Sequence, residues 1–389
     1  MDSRSDAEPD LLGPLPDYLR QATGDIASVA APSGAGLWVV CDYAAGRQVL
    51  ADGRFSRSEI IKPDSPKVNG PEPAQHSIMS MDGDDHARLR RLVAGSFTAR
   101  RVAEMAPLVG QLVDGYFDQM AASGSPADIV SRVIQPLPLA VLCAVLGIPA
   151  SSSESFKDGV EVLFDITDAD VGKTRRRLEL VSRMKQLILD KRKELADDLL
   201  SSLIQAQGKG DLSHGELLTM GLTLLMAGYE TTVGQIGLMV LSLLADPGAY
   251  ASLVANPELV PGAVEEALRL NPATPVSFAR VAMEAVQIGD VMVEAGEAVV
   301  VSMLHGNRDE SVFPGADKLI LDGRASAHLT FGYGTHRCLG APLARLQMQI
   351  ILEQLIKHFP ALRLADCPEP VKWKDGLATR GLLQLMVDW

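Results

Sequence analysis

One stretch limits the folds open to this chain more than any other. From Leu217 to Ala245 the only ionisable side chains belong to Tyr229 and Glu230. A membrane span needs about 20 apolar residues, and this run is long enough. Its middle, however, carries Tyr229-Glu230-Thr231-Thr232 and then Gln235, groups that are costly at the centre of a bilayer. A long helix buried in a water-soluble core reconciles length with chemistry. Both ends are marked. Ser213 with Glu216 three residues on forms a capping box, and Asp246-Pro247 closes the helix because the residue before proline disfavours it. The helix so bounded has about 33 residues and spans roughly 50 Å at about 1.5 Å per residue.

Composition agrees with a helical core. Hydrophobic residues make up 47% of the 389 and aromatics 5%, which favours aliphatic, helix-rich packing. The net charge of −13 argues against general nucleic-acid binding. Cys41, Cys143, Cys338 and Cys367 are scattered, with no CxxC pair, a pattern that fits a reducing cytoplasm and neither a disulfide framework nor a zinc site. Met1–Asp10 is polar and acidic, without a basic-then-apolar signal. The expectation is a cytoplasmic protein with no membrane segment.

The remaining pattern predicts one domain over 1–389, mainly α with a smaller β portion. Residues 1–35 read as a loosely ordered lead-in with one helix near Pro16–Thr23. A short strand at Leu37–Val40 and a helix at Tyr43–Ala51 follow. Pro63, Pro66, Pro71 and Pro73 with Gly70 make Ile61–Ser80 a long surface loop, of the kind that serves as a lid or is plainly disordered. Helices are expected at Val102–Ala121, Leu137–Leu146, Ser155–Thr167, Gly172–Asp198, Leu199–Gln207 and Pro261–Leu270. Period-two patterns at Val276–Arg280, Val286–Ile288 and Ala298–Met303 predict strands. A final helix, Ala341–His358, is stopped by Pro360.

Three motifs carry chemistry. Phe331-Gly332-Tyr333-Gly334-Thr335-His336-Arg337-Cys338-Leu339-Gly340 wraps one thiol in glycines, the residue that permits close backbone approach and positive φ. A thiolate there can act as nucleophile or as metal ligand. Ala227-Gly228-Tyr229-Glu230-Thr231-Thr232 places small residues, an acid and hydroxyls in the apolar helix, either as a kink with a hydrogen-bonded core acid or as a ligand groove with a proton relay. Glu266-Ala267-Leu268-Arg269 puts an acid and a guanidinium on one helix face. His86, Arg90, Arg280 and His336 add donors enough to neutralise a dianionic ligand.

Together, in this order, the motifs resemble those of the cytochrome P450 superfamily, the haem-thiolate monooxygenases, and in particular its soluble bacterial members. The match runs from the first predicted strand to the C-terminus. The resemblance implies the cytochrome P450 fold, with haem between the long central helix and the cysteine loop. It implies that Cys338 is the axial ligand of a haem b iron, with Phe331, Gly332 and Gly340 around it. His86, Arg90, Arg280 and His336 would bind the propionates. Ala227 and Gly228 would line the groove for O2, and Glu230 and Thr231 would be the acid–alcohol pair that delivers protons. Glu266 and Arg269 would be structural, with Arg308 a partner. Tyr333 and Gln347 depart from common family residues without touching the haem site.

The same resemblance implies electrons from NAD(P)H through a ferredoxin and its reductase, docking near Arg88, Arg90, Arg91, Arg100 and Arg101, and a monomeric enzyme. The substrate pocket would include Met79, Leu224, Ala227, Val276, Phe278 and Leu382, beside the loop 61–81 and the helices within 155–195. That lining is mostly apolar, so the expected reaction is hydroxylation or epoxidation of a hydrophobic or amphipathic secondary metabolite. A second reading keeps the haem but ends in desaturation, ring closure or oxidative coupling. A third, a haem sensor or carrier, is disfavoured by the Glu230-Thr231 pair, since binding alone needs no relay.

Overall fold

The computed structural model describes residues 13–31, 33–66, 68, 76–164, 171–323, 327–366 and 371–389. Pro71, Pro73 and Gly70 of the predicted loop, and Cys367, lie outside them. The chain begins with α1 (Asp17–Gln21), β1 (Ile26–Ala30), β2 (Gly36–Val40), α2 (Tyr43–Ala51) and β3 (Phe55–Ser56). A helical half follows: α3 (Gly83–Ala94), α4 (Ala99–Ala103), α5 (Ala106–Ala122), β4 (Ala127–Asp128), α6 (Pro136–Leu146), α7 (Ser153–Phe164), α8 (Val171–Lys191), α9 (Leu199–Gly208), α10 (His214–Ala245), α11 (Ala249–Ala255) and α12 (Val260–Leu270). Then come β5 (Arg280–Ala282), β6 (Val286–Ile288), β7 (Val291–Val293), β8 (Ala298–Val301), α13 (Met303–Gly306), α14 (Ala341–His358), β9 (Arg363–Leu364), β10 (Lys372–Trp373), β11 (Leu382–Gln384) and β12 (Met386–Asp388).

The long apolar run is α10, one helix of 32 residues. Its capping box is complete: Glu216 N donates to Ser213 Oγ at 3.2 Å and Ser213 N to Glu216 Oε2 at 2.7 Å. The helix is long and apolar enough to cross a membrane, yet 72% of its most apolar window is buried inside the protein. Glycine lets neighbours close on it. A Cβ at Gly234 would sit 2.4 Å from the Arg380 carbonyl oxygen, and one at Gly221 would meet Met184 Sδ at 2.9 Å. The main core spreads from α10 over α5, α6, α12 and α14.

The smaller β portion is a five-stranded sheet in the order β1-β2-β8-β5-β3, with β2 and β8 parallel. Alternation assigns its faces. Ala298 and Val300 join a cluster with Leu37 and Val39, whereas Val299 and Val301 join Val40 and Phe55. With both faces covered, all four residues of β8 are buried.

Two expectations need correction. The lead-in is not loose throughout, because Ile26–Ala30 pairs with β2 in full register, Ile26 opposite Val40. The strand expected at Val276–Arg280 begins only at Arg280. Upstream, Ser277 Oγ takes the Val301 N–H at 2.9 Å and leaves Val276 one isolated bridge to Ser302. A hydroxyl has replaced part of the ladder.

Candidate functional site

α10 and the loop before α14 both line a cavity of about 960 Å³. Cys338 is exposed to it. Cys338 N donates to Phe331 O at 2.8 Å and Gly332 N to Leu329 O at 2.6 Å, which closes the loop on itself. Gly332 and Gly334 have φ of 68° and 74°, the left-handed region that favours glycine. Gly334 is doubly constrained, since a Cβ there would lie 2.7 Å from Leu50 O. Gly340 has φ −80° and open space where a Cβ would be. Burial pushes the Cys338 thiol up; the N–H groups of Gly340 and Ala341, at the start of α14, and the charges of Arg90 and Arg337 pull the other way. That surrounding suits a sulfur that a metal ion holds as thiolate.

At one end of the cavity the lining is cationic. Arg57, His86, Arg90, Arg280 and His336 all line it. Arg280 and Arg57 are 4% and 5% exposed, and neither pairs with a carboxylate at ion-pair distance among the described residues. Burial pulls both guanidinia down, Arg57 to about 9 with Arg280 also acting, and Arg280 to about 10, so both stay charged at neutral pH. His86 falls to about 4 through burial and then the charges of His336 and Arg90. Its ring lies 4.2 Å from that of His336.

One carboxylate organises the group. Asp82 accepts from His336 Nε2 at 3.1 Å, Ser56 Oγ at 2.7 Å, and the N–H groups of Arg57 and Ser58 at 2.8 Å each. Burial alone would raise its carboxyl, but these donors hold it well below the usual range. Arg57 and Asp82 were not legible as site residues. Arg57 is one of two arginines that flank a two-residue strand, and only the pairing of β3 with β5 brings it to Arg280.

On α10, Ala227 and Thr231 line the cavity one turn apart, and Thr231 Oγ1 donates back to Ala227 O at 2.6 Å. Gly228 contributes backbone, but its missing Cβ makes room for Leu142 of α6 at 2.8 Å and does not serve a ligand alone. Glu230 departs from the expected arrangement. It is 1% exposed and outside the lining, and Oε1 accepts from Lys374 Nζ at 2.7 Å while Oε2 is buried without a partner. Consecutive helix residues do not share a face, so acid and alcohol lie on different sides of α10. Met79, Leu224, Val276 and Phe278 line the cavity, as does Thr379. Leu382 does not: it is 2% exposed and packs on Gly237.

Comparison with known proteins decides the family. The Cytochrome P450 family model matches residues 129–380. The mycinamicin IV hydroxylase/epoxidase of Micromonospora griseorubida is 39% identical over 95% of this chain and 94% of its own length. The nocardicin C N-oxygenase of Nocardia uniformis subsp. tsuyamanensis is 40% identical over 93% and 92%. A crystal structure of HinD with NMFT and NO superposes with a TM-score of 0.90 at 37% identity, covering 99% of this chain and 98% of that one. The chain belongs to the cytochrome P450 family. It is a monooxygenase of small molecules, of the kind found in bacterial secondary metabolism, and the P450 family works with haem iron and O2. The lining fits that group, with one thiol for the iron and buried guanidinia that lack carboxylates of their own.

Two further P450 expectations meet the structure differently. Glu266 and Arg269 form a buried bidentate pair, 2.8 Å and 2.7 Å, and Arg269 also donates to the carbonyls of Asn307, Ala316 and Lys318. Arg308 is not their partner; it pairs with Asp317 at 3.3 Å. The basic patch is smaller than the sequence suggested. Arg88 is tied to Glu216 at 2.5 Å and Arg90 turns in to Arg337 O at 2.7 Å; Arg91, Arg100 and Arg101 stay outside, Arg100 and Arg101 sharing Glu104 at 3.4 Å and 3.1 Å.

Proposed function

We propose that this P450 holds haem b with Cys338 as the axial thiolate and His86, Arg90, Arg280, His336 and Arg57 around the propionates. The observation that carries this is a single cavity lined by the Cys338 thiol, the Ala227–Thr231 turn of α10, the guanidinia of Arg57, Arg90 and Arg280 and the imidazoles of His86 and His336. Bound there, a haem thiolate supplies the oxidising chemistry, the sulfur favouring O–O cleavage.

The residues divide the remaining work. The N–H groups of Gly340 and Ala341 hold the sulfur and oppose its protonation. Arg57 and Arg280 offer fixed charges that need no reorganisation when two carboxylates arrive. Thr231 Oγ1, now bonded to Ala227 O, is the hydroxyl placed to hand a proton into the cavity. Glu230, held by Lys374 on the far side, is the acid from which Thr231 can be resupplied once its unpartnered oxygen is engaged.

The substrate is a hydrophobic or amphipathic secondary metabolite, hydroxylated or epoxidised against Leu224, Ala227, Val276 and Phe278. Relatives named for mycinamicin IV and nocardicin C support that class. Electrons come from NAD(P)H through a ferredoxin and its reductase, with Arg91, Arg100 and Arg101 as the local positive patch that steers an acidic partner in spite of the net charge. The protein acts as a cytoplasmic monomer. The test is Thr231→Ala in a reconstituted system: electron consumption continues while product falls and hydrogen peroxide rises. Unchanged coupling would remove Thr231 from the relay.

A further inference from the structure

Arg177 is a cation of the cavity lining outside the set proposed above for the haem. It lies on α8, in the run Arg175-Arg176-Arg177, whose first two members are exposed. Helical spacing turns the third inward. Leu180 and Met184, three and seven residues on, share its face and are buried against Gly159 of α7 and Gly221 of α10. Arg177 therefore reaches the cavity. There it is poorly satisfied. One NH2 group donates a long bond, 3.4 Å, to Val162 O, and Nε is buried with no partner. No carboxylate among the described residues pairs with it, whereas Lys191 on the same helix has Asp198 at 2.5 Å. A buried unpaired donor costs free energy that a bound acceptor would recover.

Charge matching separates this cation from the others. Four buried or partly buried guanidinia line the cavity: Arg57, Arg90, Arg177 and Arg280. At the cationic end Asp82 and the two haem carboxylates face Arg57 and Arg280, and the Cys338 thiolate faces Arg90 and the exposed Arg337, so four negative charges meet four positive ones. Arg177 is left over, in a cavity whose lining also includes the apolar Met220, Leu224 and Leu142. A planar fork of donors beside apolar surface reads a carboxylate at the end of an apolar body.

We propose that the substrate carries a carboxylate, and that Arg177 binds it and so fixes which carbon reaches Thr231. The proposal rests on the haem reading above. It is tested by titrating the holoprotein with 1-butylimidazole and with ω-(imidazol-1-yl)alkanoic acids of increasing length, each beside its methyl ester. Affinity is read from the shift of the haem Soret band. The imidazole anchors every probe at the iron, so the chain length scans for the cation. The expected result is a window of lengths in which the acid binds about tenfold or more tightly than its ester. R177Q should abolish that difference with 1-butylimidazole affinity unchanged, and R177K should keep part of it. Equal binding of acid and ester at every length, or an acid preference that survives R177Q, overturns the proposal. A folded protein that takes up no haem and shows no Soret band would overturn the haem reading and this inference with it.

Discussion

Replacing Lys374 by methionine isolates what holds Glu230 inside the protein. Glu230 is 1% exposed, and Lys374 Nζ, on a side chain 13% exposed, is the cation that meets it at 2.7 Å. The second carboxylate oxygen has no partner to share the charge. Methionine keeps the length and apolar stem of lysine but leaves the carboxylate buried alone. Removing one member of a buried pair costs about 3–5 kcal/mol, far more than the pair itself contributes over an apolar replacement. The expected loss for Lys374→Met is therefore about 3–5 kcal/mol, read from denaturant midpoints of the holoprotein. The double variant Lys374→Met with Glu230→Leu should recover most of it, because the uncompensated charge is gone. A loss under about 1 kcal/mol in the single variant, or no recovery in the double, would mean that the acid is not held by Lys374.

Two other outcomes follow from contacts in the structure. Gly334→Ala adds a Cβ beside Leu50 O and Ala51 Cα, at 2.7 Å and 2.9 Å, at φ 74°, so a loss of about 2 kcal/mol or more is expected, with a lower haem content on purification. Glu265 accepts from Arg345 at 2.6 Å and 2.8 Å and from His328 at 3.3 Å; burial opposes its ionisation, but these donors bring the carboxyl from 4.5 down to about 2. A folded pKa below the unfolded one gives stability that is present above pH 4.5 and lost as pH falls toward 2. That difference corresponds to about 3 kcal/mol, so the gap between wild type and Glu265→Gln should hold constant above about pH 5 and narrow as pH falls from there toward 3.

What could be read from the residues was local or repeated. α2 and α14 fall at Tyr43–Ala51 and Ala341–His358 as expected, and α10 starts at its capping box and stops before Asp246-Pro247. Caps, prolines and periodicity specify these without tertiary help. The misses needed partners far along the chain. β1 is a strand because β2 and β8 complete its sheet, and Leu382 is a core residue because Gly237 leaves space for it. The site divides in the same way. Cys338 and its glycines stand out in ten consecutive residues, while Arg57, Asp82 and Lys374 matter only through contacts 22 to 254 residues away. Separation of Glu230 from Thr231 follows from helix geometry, which a motif of adjacent letters hides.

Whether Cys338 holds the haem iron as a thiolate is read from the carbon monoxide difference spectrum of the reduced protein. A strongly red-shifted Soret band in wild type, lost in Cys338→Ala that still folds and takes up haem, is the expected result. An unshifted band in well-folded wild-type holoprotein, or a red-shifted band that persists in Cys338→Ala, would contradict it.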